Sequence, residues 1–277
     1  MLSTIEILKN EIPKKKINVL DLEGKKIKTI LLPKIFLIPH RPDLVKRAFL
    51  FMQTSKFQPK GASKLSGHKY SVESLGAGYG MARVSRIKGG GAKRMSAAFV
   101  PFSVGGRPTH PPKPEKKIKK RLNKMEKILA LLSAISMSID PEIVSKRGHR
   151  IGKLKLPIVL SDDIQSIKKS NELKMILEKI GLKEEIERCS KKNIRAGKGK
   201  RRGRRYKRRV GPLIIVAKDD GIIKAASNIP GLEAITLDKL NILHLAPGAH
   251  PVRLIIWSES AINNIDKMLE RLKWVKK

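Results

Sequence analysis

Apolar positions along the chain mark a series of short elements. Ile17 to Leu22 and Lys26 to Leu32 read as two strands around Glu23-Gly24, a hairpin turn. Asp43 to Phe51 reads as a helix behind Pro42, a residue suited to a first helical turn. Leu122, Met125, Leu129, Leu132 and Ile135 repeat at helical spacing. Ala130, Leu131 and Ala134 widen that stripe, which predicts a largely buried helix. Leu156 to Leu160 is a short apolar run of the kind a buried strand shows. Ile164, Ile167, Leu173, Ile176, Leu177 and Ile180 mark a helix that Gly181 ends. Leu213 to Ala217 reads as a second buried strand, Ala234 to Leu237 as a weaker third and Val252 to Trp257 as a fourth. A last helix starts near Ser258 and runs through Ala261, Ile262, Ile265, Met268, Leu269 and Leu272. Strands alternating with helices, and apolar throughout, predict an α/β fold with a parallel sheet covered on both faces.

Between residues 53 and 113 this patterning lapses. The stretch holds 10 of the 21 glycines and keeps neither a twofold nor a 3.6-residue period. It carries 11 Lys and Arg against one acid, Glu73. A structureless segment this long is functional or disordered. Because both flanks read as globular, it is expected to be an extended basic loop inserted in one domain made of residues 1–52 and 114–277. Each limb of roughly 30 residues reaches at most about 100 Å. The loop has too little apolar surface to fold alone, so it should order on a polyanion. A second basic segment, 191–209, holds 12 Lys and Arg and no acid.

The whole chain carries a formal charge of +37 over 277 residues. Self-repulsion of that size calls for a polyanionic partner, nucleic acid first. A hydrophobic share of 40% still supplies a real core, while an aromatic share of 4% argues against binding mainly by base stacking. No basic amphipathic helix of the membrane-surface kind is visible. The single cysteine, Cys189, excludes an intrachain disulfide and a cysteine-based zinc cluster. The amino terminus shows no signal-peptide pattern, and the apolar-rich stretch Ile128 to Ile139 is too short to span a bilayer. The chain reads as cytosolic.

Within the loop, Gly76 to Arg94 reads GAGYGMARVSRIKGGGAKR. Glycines let backbone approach RNA while Arg83, Arg86, Lys88, Lys93 and Arg94, with Lys69 upstream, meet phosphates. The other readings are a flexible linker and a dinucleotide loop; the latter lacks a preceding strand and a following helix. Arg107, His110 and Lys113 lie in GGRPTHPPK, where Pro108, Pro111 and Pro112 favour an extended path. Arg195, Lys198, Lys200, Arg201, Arg202, Arg204, Arg205, Lys207, Arg208 and Arg209 form the second polyanion signal, and Tyr206 can stack on a base or cover the domain edge. Arg147, His149 and Arg150, around Gly148, read equally as a phosphate clamp at a helix end or as a solvated turn. Catalysis has little support. The six histidines show no metal-site spacing, no Walker A sequence is present, and the pairs Asp162-Asp163 and Asp219-Asp220 are more simply starts of helices or turns.

Several stretches together resemble the ribosomal large-subunit protein four family in its archaeal and eukaryotic form. They are Ala82-Arg83-Val84 leading to Lys88-Gly89-Gly90-Gly91; Gly105 to Lys113; Arg147-Gly148-His149; Arg195 to Lys200; Asn228-Ile229-Pro230-Gly231; and Leu240 to Leu243 with Leu245-Ala246-Pro247-Gly248. The resemblance covers essentially the whole chain in order. It implies a doubly wound α/β domain on the surface of the large subunit. It also implies a long internal loop threading large-subunit rRNA, with a tip at Gly76, Gly78, Tyr79, Gly80, Met81 and Arg83 in the wall of the nascent-peptide exit tunnel. Implied partners are large-subunit rRNA, neighbouring ribosomal proteins and the nascent peptide. No enzymatic activity, cofactor, metal, membrane or homo-oligomer is implied, and the protein belongs in the cytoplasmic ribosome. The chain ends at Lys277, soon after the last predicted helix, which fits the archaeal form. One stretch departs from the family: a tip that commonly reads Gly-Thr-Gly-Arg is here Gly76-Ala77-Gly78-Tyr79, an aromatic ring in place of a cation. Tyr79 either faces the tunnel lumen or anchors the tip in an rRNA crevice. Two other classes compete with this reading, an RNA-modifying enzyme such as a methyltransferase and a DNA-packaging protein. The first needs a glycine-rich loop after an early strand, the second a recognition helix, and neither is visible.

Overall fold

The computed structural model describes residues 16–152, 154–250 and 252–271. Two units are distinguished: one joins the residues before Thr54 to those after Lys120, and the other is Thr54–Lys120.

The first unit opens with β1 (Lys16–Leu20) and β2 (Lys26–Leu31), an antiparallel hairpin turned at Gly24. A 3-10 turn at Lys34–Leu37 leads to α1 (Pro42–Gln53). The second unit contains β3 (Val72–Glu73) and β4 (Arg86–Ile87), paired antiparallel. The first unit resumes with α2 (Lys124–Met137), α3 (Pro141–Lys146), β5 (Ile158–Leu160), α4 (Ser170–Ile180) and α5 (Lys183–Ser190). There follow β6 (Asn193–Ile194), β7 (Tyr206–Lys207), β8 (Leu213–Val216), α6 (Ile222–Ser227), β9 (Glu233–Thr236), α7 (Ile242–Leu245), β10 (Ile255–Ser258) and α8 (Glu259–Arg271).

Six of these strands form one sheet in the order β2-β1-β5-β10-β8-β9, and every pairing except β1–β2 is parallel. β10, last in the chain, inserts at the centre, with Trp257 opposite Val159 on one side and Ile215 on the other. Side chains alternate across the sheet, so each strand feeds two cores. Val159, Leu213, Ile215, Ile255 and Trp257 meet α1, α2, α7 and α8 on one face. Ile158, Leu160, Ile214, Val216 and Ile256 meet α4, α5 and α6 on the other. The mainly parallel α/β sheet, covered on both faces, is thus as expected. Trp257 is fully buried, with Phe36 edge-on at 5.6 Å.

The serines that interrupt the buried helix have a use. Ser136 Oγ donates to the Ile38 and Phe36 carbonyls, and Ser133 Oγ accepts the Arg41 amide, so α2 supplies partners to the irregular chain before α1. Other expectations need correction. The helix expected from Ile164 to Ile180 is two elements, a 3-10 turn at Asp162–Ser166 and then α4, because the backbone extends at Ile167. Ile164 and Ile167 are nevertheless buried, so the apolar period continues across a break it cannot register. Gly181 ends α4 in the left-handed region, at φ 102°. Val252 and Leu254 are buried, but the fourth strand begins only at Ile255. On α8, Ala261, Ile262 and Ile265 are buried. Leu272, the side chains of Met268 and Leu269, and the amino-terminal stretch read for a signal segment lie outside the described residues.

In the Thr54–Lys120 unit only Thr54 and Ala98 are buried. Backbone bonds and close approaches take the place of a core. Ala62 N donates to Pro112 O, Ile87 N to Ser96 O, and Lys120 N to Thr54 Oγ1. Gly67 lies so near the Arg107 backbone that an added Cβ would stand 2.3 Å from it. The glycines at 76, 78 and 80 instead face open space.

Candidate nucleic-acid interface

The second basic segment folds as a hairpin. Asn193 pairs with Lys207 and Ile194 with Tyr206. Above them, Arg195 N donates to Arg205 O at 2.8 Å and Arg195 Nε to Arg204 O at 3.0 Å. The turn is closed by Arg202 and Arg204 amides, both donated to Gly199 O. Along 191–209 every Lys and Arg is exposed except half-buried Arg195. Tyr206 is half-exposed, and Lys192 and Arg205 each stand 5.8 Å from its ring. The hairpin is thus an exposed ribbon of cations with one accessible aromatic face. Sequence patterning missed it because its strands are two residues long and solvated on both sides.

Below the hairpin lies a buried ionic network. Glu185, fully buried on α5, accepts His149 Nδ1 at 2.6 Å, the Arg150 amide at 3.0 Å, and Arg188 through Nε at 2.8 Å and through Nη2. Burial alone would raise the Glu185 carboxyl. The bonds from His149, Arg188 and Arg150 outweigh it and hold the group at about 2. Burial lowers the His149 imidazole against the pull of Glu185, so the ring is neutral and gives Nδ1–H to the carboxylate. Arg188 Nη2 also donates to Val210 O at 2.9 Å, which ties α5 to the irregular segment leaving the hairpin.

A second arginine, Arg253, is fully buried beside this network. It donates to the Gly211, Pro212 and Gly231 carbonyls and pairs with Glu233. Arg147 Nη2 donates to Pro247 O at 2.9 Å. Motifs that lie far apart in the chain (147–149, 228–231 and 245–248) therefore converge here. Neither Arg188 nor Arg253 is a site candidate in the sequence reading. The available signal was a lone arginine inside the apolar run Val252 to Trp257.

This corrects the reading of His149. Its side chain has no exposed surface, so a phosphate does not reach it; the residue positions Glu185. Arg147, half-buried, and Lys207, Arg208 and Arg209 line a cleft of about 500 Å³ together with Lys146 and Arg188. Burial, and the charges of Arg253 and Arg188, lower the Arg147 guanidinium to about 10. Arg150 is exposed, 3.8 Å from Glu184.

In the other unit Lys69, Arg83, Lys88, Lys93, Arg94, Arg107, His110 and Lys113 are exposed. Arg86 is half-buried and spends Nη1 on Met95 O at 2.7 Å and Nη2 on Ala82 O, so it braces the loop rather than projecting from it. Lys88 stands 3.4 Å from Glu73. Lys93 bonds the Tyr70 hydroxyl. Tyr79 and Met81 are exposed at the glycine-rich tip.

The acid pairs serve as caps. Asp162 accepts Ser260 N and Oγ at the start of α8, and Asp219 accepts Gly221 N and Ile223 N at the start of α6. Among the described residues no helix is long and apolar enough to cross a membrane.

Comparison with known proteins identifies the family. Residues 30–268 match the model of the Ribosomal protein L4/L1 family. The chain is 44% identical over 264 residues to the large ribosomal subunit protein uL4 of Saccharolobus islandicus strain M.14.25, covering 94% of this chain and 97% of the relative. It is 43% identical over 262 residues to the protein of that name from Sulfolobus acidocaldarius, with the same coverage. Both relatives are archaeal, as the resemblance implied. The chain belongs to the ribosomal protein L4/L1 family, whose members are structural, non-enzymatic proteins of the cytoplasmic ribosome.

Proposed function

We propose that the chain is a structural constituent of the large ribosomal subunit that binds large-subunit rRNA through two elements, the β6–β7 hairpin and the Thr54–Lys120 unit. The observation that carries this reading is the hairpin: 12 Lys and Arg without one acid, on a ribbon exposed almost throughout. Such a ribbon has no internal counter-charge, and a phosphate backbone supplies it. The Thr54–Lys120 unit supports the same reading. With two buried residues it lacks the core that would hold it in free solution, so it acts as a basic arm that orders on RNA. Its tip, Gly76 to Met81, then contributes to the wall of the peptide exit tunnel, where Tyr79 meets the nascent chain. Neighbouring ribosomal proteins complete the surroundings, and the chain acts as a single copy.

The test is the salt dependence of binding to a large-subunit rRNA fragment. Replacing Arg201, Arg202, Arg204 and Arg205 by Gln should weaken binding and flatten the log–log salt slope by roughly 0.7–0.9 per lost phosphate contact. An unchanged slope would mean that these side chains stay in solvent.

A further inference from the structure

We infer that the cleft at the foot of the β6–β7 hairpin is a binding site for one phosphate group, held between Arg147, Arg188 and Arg209. The inference rests on the reading of the hairpin as an RNA-binding element and goes beyond it, since it gives one pocket to one phosphate.

Arg188 carries most of the argument. Its Nε and Nη2 are engaged by Glu185, and Nη2 also by Val210 O. Among the described residues Nη1 makes no hydrogen bond, yet it is not among the buried unpartnered nitrogens, so it opens onto the cleft that the residue lines. The rest of the residue is buried, at 9% exposure. The carboxylate behind it fixes the guanidinium plane. An oxygen arriving in front meets an oriented donor, with little side-chain freedom left to lose. Arg147 is tethered in the same way, from Nη2 to Pro247 O. The hairpin-tip cations differ: they are exposed and gain order only on contact.

The charge balance of the cleft points the same way. Among the described residues six cations line it and no carboxylate does. Glu185 sits behind Arg188, already neutralised by it. The Arg147 guanidinium is lowered first by its burial and then by the charges of Arg253 and Arg188. An anion in the cleft offsets both. A volume of about 500 Å³ holds a phosphate with an attached ribose, and Asn193 on the wall offers an amide to a sugar hydroxyl. The same chemistry is offered by an RNA phosphodiester and by a free phosphate ion.

The experiment uses the full chain labelled with nitrogen-15 arginine and follows guanidinium N–H signals by NMR. Inorganic phosphate is titrated at constant ionic strength, with chloride as the control. The Arg188 signal should shift saturably with phosphate and not with chloride. Arg147→Gln should weaken that binding at least about tenfold, the loss of one charge-assisted bond, and Arg147→Lys should restore most of it. A large-subunit rRNA fragment is the second arm. If RNA moves the Arg188 signal and displaces phosphate, the natural occupant is a phosphodiester. If RNA binds with the phosphate still in place, the occupant is a free phosphate ion. If phosphate has no effect and bound RNA leaves Arg188 unmoved, the inference is overturned and the RNA reading stands. If phosphate saturates the cleft and RNA does not bind, the RNA reading is the one that fails.

Discussion

Glu185 has no exposed surface, yet it holds three segments of chain together: the turn at His149–Arg150, its own helix and, through Arg188, the irregular segment leaving the hairpin. Its charge in the folded state has a consequence for stability against pH. The carboxyl sits at about 2 when folded, against an ordinary 4.5. A depressed acid contributes stability that is fully present above 4.5 and is lost as pH falls towards 2, because the unfolded chain takes up the proton first. His149, lowered from 6.5, acts in the same direction from a higher starting point. The loss for Glu185 is on the order of 3 kcal/mol. Denaturant midpoints measured from pH 7 to pH 2 should therefore fall for the natural chain. For Glu185→Gln they should start lower, since the buried Arg188 loses its counter-charge and His149 its charged acceptor, and should fall less steeply. Parallel curves for the two proteins would remove Glu185 from the account. Tyr79 belongs to the same scale. It is the one bulky side chain in Gly76–Gly80, and an added Cβ at Gly76, Gly78 or Gly80 would meet nothing. With a photoreactive residue at position 79 of assembled subunits, crosslinks to a stalled nascent chain are expected. Crosslinks to rRNA alone would mean that the ring anchors the tip instead.

Among the elements, the contrast between two glycines separates backbone conformation from packing. Gly197 on the hairpin and Gly231 below it share a left-handed φ, 77° and 79°. Gly197 faces open space, whereas a Cβ on Gly231 would stand 2.9 Å from both Arg209 O and Cys189 Cβ. Gly197→Ala should cost only the conformational term, about 1 kcal/mol. Gly231→Ala should cost more than about 2 kcal/mol, since the chain must also move away from Arg253 and Gly211. Equal losses in denaturant unfolding would show that packing at Gly231 contributes nothing. The same elements explain how far sequence patterning reaches. β5, β8 and β10 were legible because a strand buried on both faces must be apolar throughout, as Leu213 to Val216 is. α6 and α7, of six and four residues, are too short to show a period. The hairpin was legible as charge and not as structure. The cleft was not legible at all: Arg147, Arg188 and Arg209 are joined only by the fold, and His149, which looks like their equal in sequence, is turned inward to Glu185.

Over the whole molecule the two units differ in how they are held. One buries alternate residues of a six-stranded sheet in two cores. The other relies on turns, glycine contacts and a net of backbone bonds around two buried residues. Under the proposed rRNA binding, an RNA scaffold would supply what the second unit lacks. The charge of +37 would serve the same binding. The most direct measurement is where the protein sediments in a native lysate after a high-salt wash. The protein should stay with the large subunit, in a fixed ratio to rRNA. Recovery of the protein in the free fraction, or on the small subunit, would contradict the proposed function.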